Sequence, residues 1–180
     1  MTHEVATDGR VVLRSIEGGD LDALDAVLGD ADVMRYGPGP RTREDQAAFI
    51  DHAHDEYRRY EMGPWAICTP EDPTLVGYCR LRCEADWISA GEIELGYRLA
   101  TRAWGKGLAT AATTLARDMA FQRFDARTLV ALIDPSNTAS IRVAERIGMS
   151  PTREIMLPGY DHPDSVYTLS PADWAGLTNR

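Results

Sequence analysis

A chain of 180 residues, 44% of them apolar, is long enough to build one domain around a sizeable hydrophobic core. Its charged fraction of 26% is ordinary for a folded protein and argues against disorder. Because the net charge is −9 and the pI is near 4.9, the chain lacks the positive field that non-specific binding to nucleic acid or to an anionic membrane requires.

The chain carries no sequence signal for export or membrane insertion. The opening segment MTHEVATDGR has no apolar stretch of the signal-peptide type, and no later run reaches the roughly 18 apolar residues of a membrane span. The cysteines Cys68, Cys79 and Cys83 are odd in number and have no fourth ligand at a spacing that suits zinc. We therefore expect reduced, buried or half-buried thiols, no bound metal and a cytoplasmic location.

Hydrophobic spacing and turn residues predict five elements in the first half of the chain. In order they are a strand at Val11–Ile16, a helix after an N-cap at Asp20, a helix from Thr42 to about Tyr60, and a hairpin of Trp65–Cys68 and Leu75–Cys83. The second helix has the clearest start, since Thr42 and Asp45 have the spacing of a capping box.

The second half of the chain predicts a β-α-β crossover followed by three shorter elements. The order is a strand at Glu92–Leu99, a helix at Leu108–Phe124, a strand at Thr128–Ile133, a helix from about Thr138 to Ile147, and strands near Arg153–Leu157 and Ser165–Leu169. The strand at Thr128–Ile133 is apolar throughout, as expected of a central strand. This order indicates a single α/β domain of the α+β kind, covering residues 1–180, with a mixed sheet.

The segment Arg102–Ala109, with the sequence RAWGKGLA, lies between a predicted strand and a predicted helix. Gly105 and Gly107 permit a tight turn that brings backbone N–H groups close to a ligand. The start of the following helix adds unpaired N–H groups and a positive dipole end, which together favour an anion. Arg102 and Lys106 add positive charge in an acidic chain. The segment therefore predicts a phosphate or pyrophosphate ligand.

Two nucleotide-binding motifs also contain a glycine-rich loop before a helix. A Walker A loop requires Gly-x-x-x-x-Gly-Lys followed by Ser or Thr, and the segment does not fit that pattern. A dinucleotide fingerprint expects a third glycine or alanine where Thr110 stands, and an acidic residue for which Asp125 is only loosely placed. A nicotinamide- or nucleotide-binding enzyme remains an alternative that depends on the glycine loop alone.

The pattern Arg102-x-x-Gly105-x-Gly107-x-Ala109 resembles motif A of the GNAT acetyltransferases, and further segments agree with that family in the same order. They are Glu94–Leu99, which resembles the strand before motif A, Asn137-x-x-Ser140, and Gly148-Met149. Trp104 and the closing Ala172–Trp174 resemble the subgroup that acetylates the N-termini of ribosomal proteins. The resemblance implies a GNAT-like fold, with a mostly antiparallel twisted sheet, flanking helices and the late β-α-β crossover.

The resemblance also implies acetyl-CoA as cosubstrate and assigns roles to residues of the loop. Backbone groups around Leu99 would bind the pantetheine arm, and the pyrophosphate would be held by amides of Arg102, Gly105, Lys106, Gly107, Leu108, Ala109 and Thr110. The other interpretations are an ordinary strand-to-helix turn for the glycines and a solvated side chain for Lys106.

Asn137 and Ser140 are the candidate contacts near the reacting sulfur. By the resemblance, Asn137 would bind the cofactor and Ser140 would lie near the sulfur and protonate the leaving thiolate. Asn137 could equally be a turn residue after Pro135, and Ser140 a small residue in the first turn of a helix. Many GNAT enzymes carry a tyrosine general acid four residues after this serine, where this chain has Ala144, so the proton donor stays open.

Direct acetyl transfer requires a base, because an alkyl ammonium is mostly protonated at pH 7. Glu92 and Glu94 lie on one face of the same predicted strand, where paired carboxylates would raise the pKa of one and attract a cationic amine. Glu94 ranks first because it matches the family motif, and Glu154 is a further candidate. Each of them could instead be a solvent-facing strand residue.

The predicted function is transfer of an acetyl group from acetyl-CoA to a primary amine, without metal or covalent intermediate. A protein N-terminus is the leading acceptor by resemblance to the subgroup, and small amines such as aminoglycosides or polyamines remain open. We expect a monomer or a homodimer. An alternative function is that of a catalytically inactive module that binds acyl-CoA. The presence of Ala144, where many GNAT enzymes have a tyrosine general acid, supports this alternative.

Overall fold

The computed structural model describes residues 4–178, so the first three residues of the N-terminal segment discussed above lie outside the described part. The strands are β1 Glu4–Thr7, β2 Val12–Ser15, β3 Pro64–Thr69, β4 Asp72–Arg82, β5 Glu92–Leu99, β6 Thr128–Ile133, β7 Ser150–Ile155 and β8 Asp164–Leu169. The α-helices are α1 Leu21–Leu28, α2 Ala31–Met34, α3 Arg43–Tyr60, α4 Leu108–Gln122, α5 Thr138–Arg146 and α6 Pro171–Thr178.

The strands form one eight-stranded mixed sheet in the order β1-β2-β3-β4-β5-β6-β8-β7. The described ladders β1–β2, β2–β3, β3–β4, β6–β8 and β7–β8 are antiparallel. β5 and β6 pair in parallel over Glu92–Glu94 and Thr128–Val130, joined by α4. A parallel pair needs such a crossover connection. The predicted fold class, with its mostly antiparallel sheet and late β-α-β crossover, is confirmed.

The chain divides into two compact units, of which the first comprises Met1–Arg80 and Tyr97–Leu115. Its core is a cluster of buried apolar side chains from α1, α2, α3, β3 and β4, among them Leu24, Met34, Phe49 and Leu75. Helix α3 starts as predicted, because Thr42 Oγ1 accepts a hydrogen bond from the Asp45 amide and the Asp45 carboxylate accepts one from the Thr42 amide. The second unit comprises Leu81–Gly96 and Ala116–Arg180.

A buried ion pair in the first unit replaces one predicted helix cap. Asp20 directly precedes α1, as predicted, but its carboxylate makes no capping bond to that helix. It instead accepts two hydrogen bonds from the Arg14 guanidinium, at 2.8 and 2.7 Å, and one from the Glu17 amide at 2.9 Å. Arg14 also donates to the Pro73 carbonyl. The hydrogen bond to Asp20 raises the pKa of Arg14, so the guanidinium stays charged although it is buried.

Three elements of the structure were not predicted. β1 is a four-residue, partly exposed strand with little apolar pattern, and α2 is a single turn of helix. The start of α6 did carry a readable signal, because Pro171 occupies the first helical position and Ser170 Oγ accepts from the Asp173 amide at 3.1 Å. Elsewhere the bounds differ by a few residues, and β5 and β6 match their predicted bounds.

The prediction of buried or half-buried thiols is confirmed, since Cys68 and Cys79 are buried and Cys83 is half-buried. Burial raises the pKa of the Cys79 thiol to about 12 and also raises that of Cys68. No helix among the described residues is long and apolar enough to cross a membrane.

Candidate active site

The glycine loop follows β5 and a short 3-10 turn at Thr101–Ala103, and it leads directly into α4. Gly105 and Gly107 both adopt left-handed backbone conformations, with φ of +73° and +76°. Side chains rarely tolerate that region, so both positions favour glycine. A Cβ on Gly105 would meet open space, whereas one on Gly107 would lie 3.0 Å from Nη2 of Arg10. The sequence therefore places two glycines where the backbone itself demands them.

The start of α4 leaves backbone N–H groups without intrahelical partners. The Gly107 carbonyl accepts the hydrogen bond of the Ala111 amide at 3.1 Å, which makes Gly107 the N-cap position. The amides of Leu108, Ala109 and Thr110 then belong to the first turn, where an α-helix offers no carbonyl partner. Glycine has no side chain that could cap them. Together with the helix dipole, these amides form an anion site.

Three cationic side chains surround this loop in the first unit. Arg102 and Lys106 are both exposed, and Arg102 donates a hydrogen bond to the Leu75 carbonyl at 3.2 Å. Arg10 was not singled out by the sequence, yet its Nη2 lies 3.5 Å from the Lys106 carbonyl oxygen. No local pattern indicates this approach, because 96 residues separate the two. The positive charge around the loop is therefore larger than the motif alone suggests.

The predicted pantetheine-binding stretch ends at Leu99, which is buried. Its carbonyl already accepts a hydrogen bond from the Trp104 indole Nε1 at 2.8 Å, and the neighbouring Ala100 amide donates to Val76 at 2.9 Å. The Trp104 ring is nevertheless 48% exposed. Trp104 therefore fixes the end of β5 against the glycine loop through its indole nitrogen.

Glu92 and Glu94 do share one face of β5, but each is held by an arginine. Glu94 pairs with Arg82 of β4. Glu92 accepts two hydrogen bonds from Arg153 of β7, at 3.1 and 3.0 Å, and one from the Ser89 amide at 2.9 Å. The Arg153 hydrogen bonds hold the pKa of Glu92 below its ordinary value. The expected rise in the pKa of one of the two carboxylates is therefore not found at Glu92, where Arg153 stabilises the ionised form.

Asn137 and Ser140 meet at the start of α5, where Asn137 is the N-cap residue. Its Oδ1 accepts from the Ser140 amide at 3.1 Å, so the turn-forming role considered for Asn137 is present. Both residues are half-buried, and Ala144, one turn later, is buried. Glu154, the further carboxylate candidate, lies in β7 and is exposed.

The structure brings together the predicted residues in three local groups. The glycine loop, Leu99 and Arg102 share the first unit, while Glu92 and Glu94 share β5, and Asn137 and Ser140 share the start of α5. The residues that sequence reasoning missed are Arg10, Arg82 and Arg153. The pairing of Arg82 with Glu94 could have been predicted from the sequence, because the two residues carry opposite charges on neighbouring strands of the sheet.

The model of the acetyltransferase (GNAT) domain family matches residues 10–150. The chain belongs to this family. The matched range includes every predicted site residue except the further candidate Glu154, and the chain is accordingly an N-acetyltransferase by family. Membership in this family favours acetyl-CoA over a nicotinamide or other nucleotide as the ligand of the glycine loop.

Two relatives illustrate the range of proteins that the chain resembles. It is 31% identical over 168 residues to the uncharacterized protein YkkB of Bacillus subtilis, covering 91% of this chain and 94% of that protein. It is 28% identical over 158 residues to the spermidine N(1)-acetyltransferase of Escherichia coli K12, covering 81% of this chain and 76% of that one.

Solved structures share the fold at lower sequence identity. The RimL ribosomal L7/L12 alpha-N-protein acetyltransferase superimposes with a TM-score of 0.79 at 18% identity, covering 94% of this chain and 95% of that one. The aminoglycoside acetyltransferase AAC(6')-Ib, solved in complex with coenzyme A, superimposes with a TM-score of 0.78 at 18% identity, covering 93% of this chain and 99% of that one. These similarities place the chain among GNAT folds and leave its acceptor open.

Proposed function

We propose that the protein transfers an acetyl group from acetyl-CoA directly to a primary amine. The observation that carries the proposal is the glycine loop, in which two left-handed glycines lead into an uncapped helix start beside Arg10. A pyrophosphate matches this loop in charge and in its need for several N–H donors. The coenzyme A complex of the aminoglycoside acetyltransferase with the same fold supports this choice of ligand.

In this proposal the loop amides from Arg102 to Thr110 hold the pyrophosphate, and backbone groups near Leu99 bind the pantetheine. Since Trp104 already occupies one lone pair of the Leu99 carbonyl, its second lone pair is the acceptor available to the cofactor. Asn137 contacts the cofactor through its amide nitrogen, because its Oδ1 is committed to the helix cap. Lys106, Arg102 and Arg10 neutralise the phosphates.

Glu94 is the proposed general base, acting through water. The ion pair with Arg82 is made through Oε2 of the half-buried Glu94, and Oε1 is the oxygen proposed to accept the proton. Glu92 is less suited, because Arg153 and the Ser89 amide occupy its lone pairs and its pKa is lowered. The amine nitrogen forms its bond to the carbonyl carbon and the C–S bond breaks. The thiolate then takes a proton from Ser140 or from water.

The proposed acceptor is a primary amine of either of two kinds. A protein N-terminus is suggested by the Trp104 and Ala172–Trp174 features and by the shared fold with RimL. A polyamine is suggested by the 28% identity with spermidine N(1)-acetyltransferase. The net charge of −9 suits either cation. The odd number of cysteines suits a reducing compartment, and we propose a cytoplasmic monomer or homodimer.

Thermal unfolding with acetyl-CoA, NAD or ATP in large excess tests the cofactor. A ligand at about 100 times its Kd stabilises the folded state by roughly 2.7 kcal/mol, which moves the melting temperature visibly. Stabilisation by acetyl-CoA alone supports the proposal, whereas stabilisation by NAD or ATP alone overturns it.

Turnover is then measured as coenzyme A release, by mass spectrometry, with spermidine, an aminoglycoside and peptides that have free or blocked N-termini. Release with a free but not a blocked amine supports the proposed reaction. Binding of acetyl-CoA without release from any amine favours the inactive acyl-CoA-binding module, for which Ala144 is the structural indication.

A further inference from the structure

A cluster of Asp134, His162 and Asp164 lies in the second unit, outside the site described above. Asp134 directly follows β6, Asp164 begins β8, and His162 stands in the connection before it. The antiparallel register pairs Ile133 with Ser165, which brings the two aspartates to the same end of the β6–β8 ladder. One ligand atom from each of the three side chains lies within 4.8 Å of the others.

The distances in this cluster suit ligands of one small cation. His162 Nε2 lies 3.1 Å from Asp134 Oδ2 and 4.0 Å from Asp164 Oδ1. Ligands bound tetrahedrally at 2.0–2.1 Å from a zinc ion are separated by about 3.3 Å, which falls between these two values. Small adjustments of the side chains would therefore place all three atoms around a common centre.

The surroundings orient two of the three side chains in the way that metal ligands are oriented. His162 Nδ1 lies 2.7 Å from Asp161 Oδ1. The carboxylate can therefore accept a hydrogen bond from Nδ1–H, which directs the Nε2 lone pair into the cluster. Asp134 uses its other oxygen, Oδ1, to accept from the amide and hydroxyl of Ser136, at 2.7 and 2.6 Å. A carboxylate behind a histidine is the usual support for a metal-binding imidazole.

Asp164 supplies an independent indication that a cation is required. The residue is 8% exposed, and its Oδ1 is shielded from solvent without a hydrogen-bond partner among residues 4–178. His162 Nε2 lies 4.0 Å from this oxygen, beyond hydrogen-bonding distance. A protonated imidazole would satisfy Asp134 and Asp161 but would leave this buried oxygen unpaired. Leaving a buried carboxylate oxygen unpaired is costly.

We propose that Asp134, His162 and Asp164 form a binding site for a divalent first-row transition-metal ion such as zinc. Two carboxylates and a neutral imidazole offer the charge that balances a divalent ion. The imidazole favours zinc and its neighbours over magnesium and calcium, which prefer oxygen ligands. The ion would fasten the connection before β8 to the end of β6, next to the turn in which the Asp134 carbonyl accepts from the Asn137 amide. This proposal departs from the expectation of no bound metal, which was argued from the cysteines alone.

The test is a titration of the full chain, stripped with a chelator and dialysed, with zinc chloride and in parallel with magnesium chloride. Calorimetry is expected to give about one zinc ion per chain, with zinc affinity at least 100-fold above that of magnesium. The isosteric change Asp164→Asn should lower zinc affinity at least tenfold, in line with the effect of disturbing metal ligands. His162→Ala should abolish binding. His52→Ala, at an exposed histidine of α3, should bind as wild type.

Cobalt absorption separates this site from adventitious binding to thiols. The expected cobalt spectrum has the bands of oxygen and nitrogen ligands, without charge transfer from thiolate. Failure of the wild-type chain to bind zinc, a thiolate band, or wild-type affinity in a folded Asp164→Asn variant would each overturn the proposal. Circular dichroism establishes folding, and Asp134→Asn replaces any variant that fails to fold.

Discussion

The guanidinium of Arg10 lies against the glycine loop, with its Nη2 3.5 Å from the Lys106 carbonyl oxygen, although 96 residues separate the two in the chain. The same nitrogen is 3.0 Å from the position that a Gly107 Cβ would occupy. A cation from the N-terminal part of the chain thus stands beside the amides proposed to hold pyrophosphate, where it can bind the same anion.

Arg10→Ala is expected to weaken acetyl-CoA binding about tenfold, since that ratio corresponds to about 1.4 kcal/mol and one charge-assisted contact is of this size. Turnover at saturating acetyl-CoA should change little. The difference in acetyl-CoA affinity between wild type and Arg10→Ala should shrink as the salt concentration is raised, because salt screens the contact between Arg10 and the phosphates in the wild-type protein. Binding is measured by calorimetry at two ionic strengths. Arg59→Ala, at an exposed arginine of α3, is the control, and equal losses in both variants would remove Arg10 from the site.

Gly107→Glu should abolish acetyl-CoA binding while the protein stays folded. The new side chain would put a negative charge beside the pyrophosphate, and the backbone at φ +76° disfavours any side chain. Gly159→Glu is the matched control, because Gly159 has φ of +87° and open space around its Cβ position. Calorimetry with acetyl-CoA and a thermal melt are measured on both variants. Undiminished affinity in a folded Gly107→Glu protein would show that the loop holds no phosphate.

Glu94→Gln should lower kcat at least tenfold and leave acetyl-CoA affinity nearly unchanged, because it removes the proposed base while keeping shape and burial. Steady-state kinetics at saturating acetyl-CoA measure kcat, and calorimetry measures the affinity for acetyl-CoA. Glu92→Gln, two residues away on the same face of β5, is the control and should retain most activity. Wild-type turnover of Glu94→Gln across the pH range would exclude Glu94 as the base.

How far the sequence predicted this protein depends on how local each determinant is. The capping box at Thr42, the bounds of β5 and β6 and the two loop glycines depend on nearby residues, and all were predictable. The partners of the carboxylates were not, because Arg153 reaches Glu92 across 61 residues and therefore only through the tertiary fold. Asp20 illustrates the same limit. Its position suggested a helix cap, but its carboxylate accepts hydrogen bonds from the buried Arg14 guanidinium and makes no capping bond to α1.

The Arg14–Asp20 pair gives a prediction for stability. Asp20→Asn should lower the free energy of unfolding by about 3–5 kcal/mol, because it leaves a buried guanidinium without its counter-charge. Asp22→Asn, two residues later, breaks an exposed ion pair with Arg43 and should leave the unfolding midpoint unchanged within error. Urea denaturation of both variants makes the comparison. Equal midpoints for the two would mean that burial does not strengthen the Arg14 contact.

The burial of Cys68 and Cys79 decides how readily activity can be screened. Thiolates, not thiols, attack aromatic disulfide reagents, and burial raises the pKa of both side chains, that of Cys79 to about 12. These two residues will therefore contribute almost no colour under native conditions, and Cys83 is the remaining source of background. A continuous colorimetric assay in microplates can thus report coenzyme A as it leaves, and hundreds of candidate amines can be compared in a single experiment.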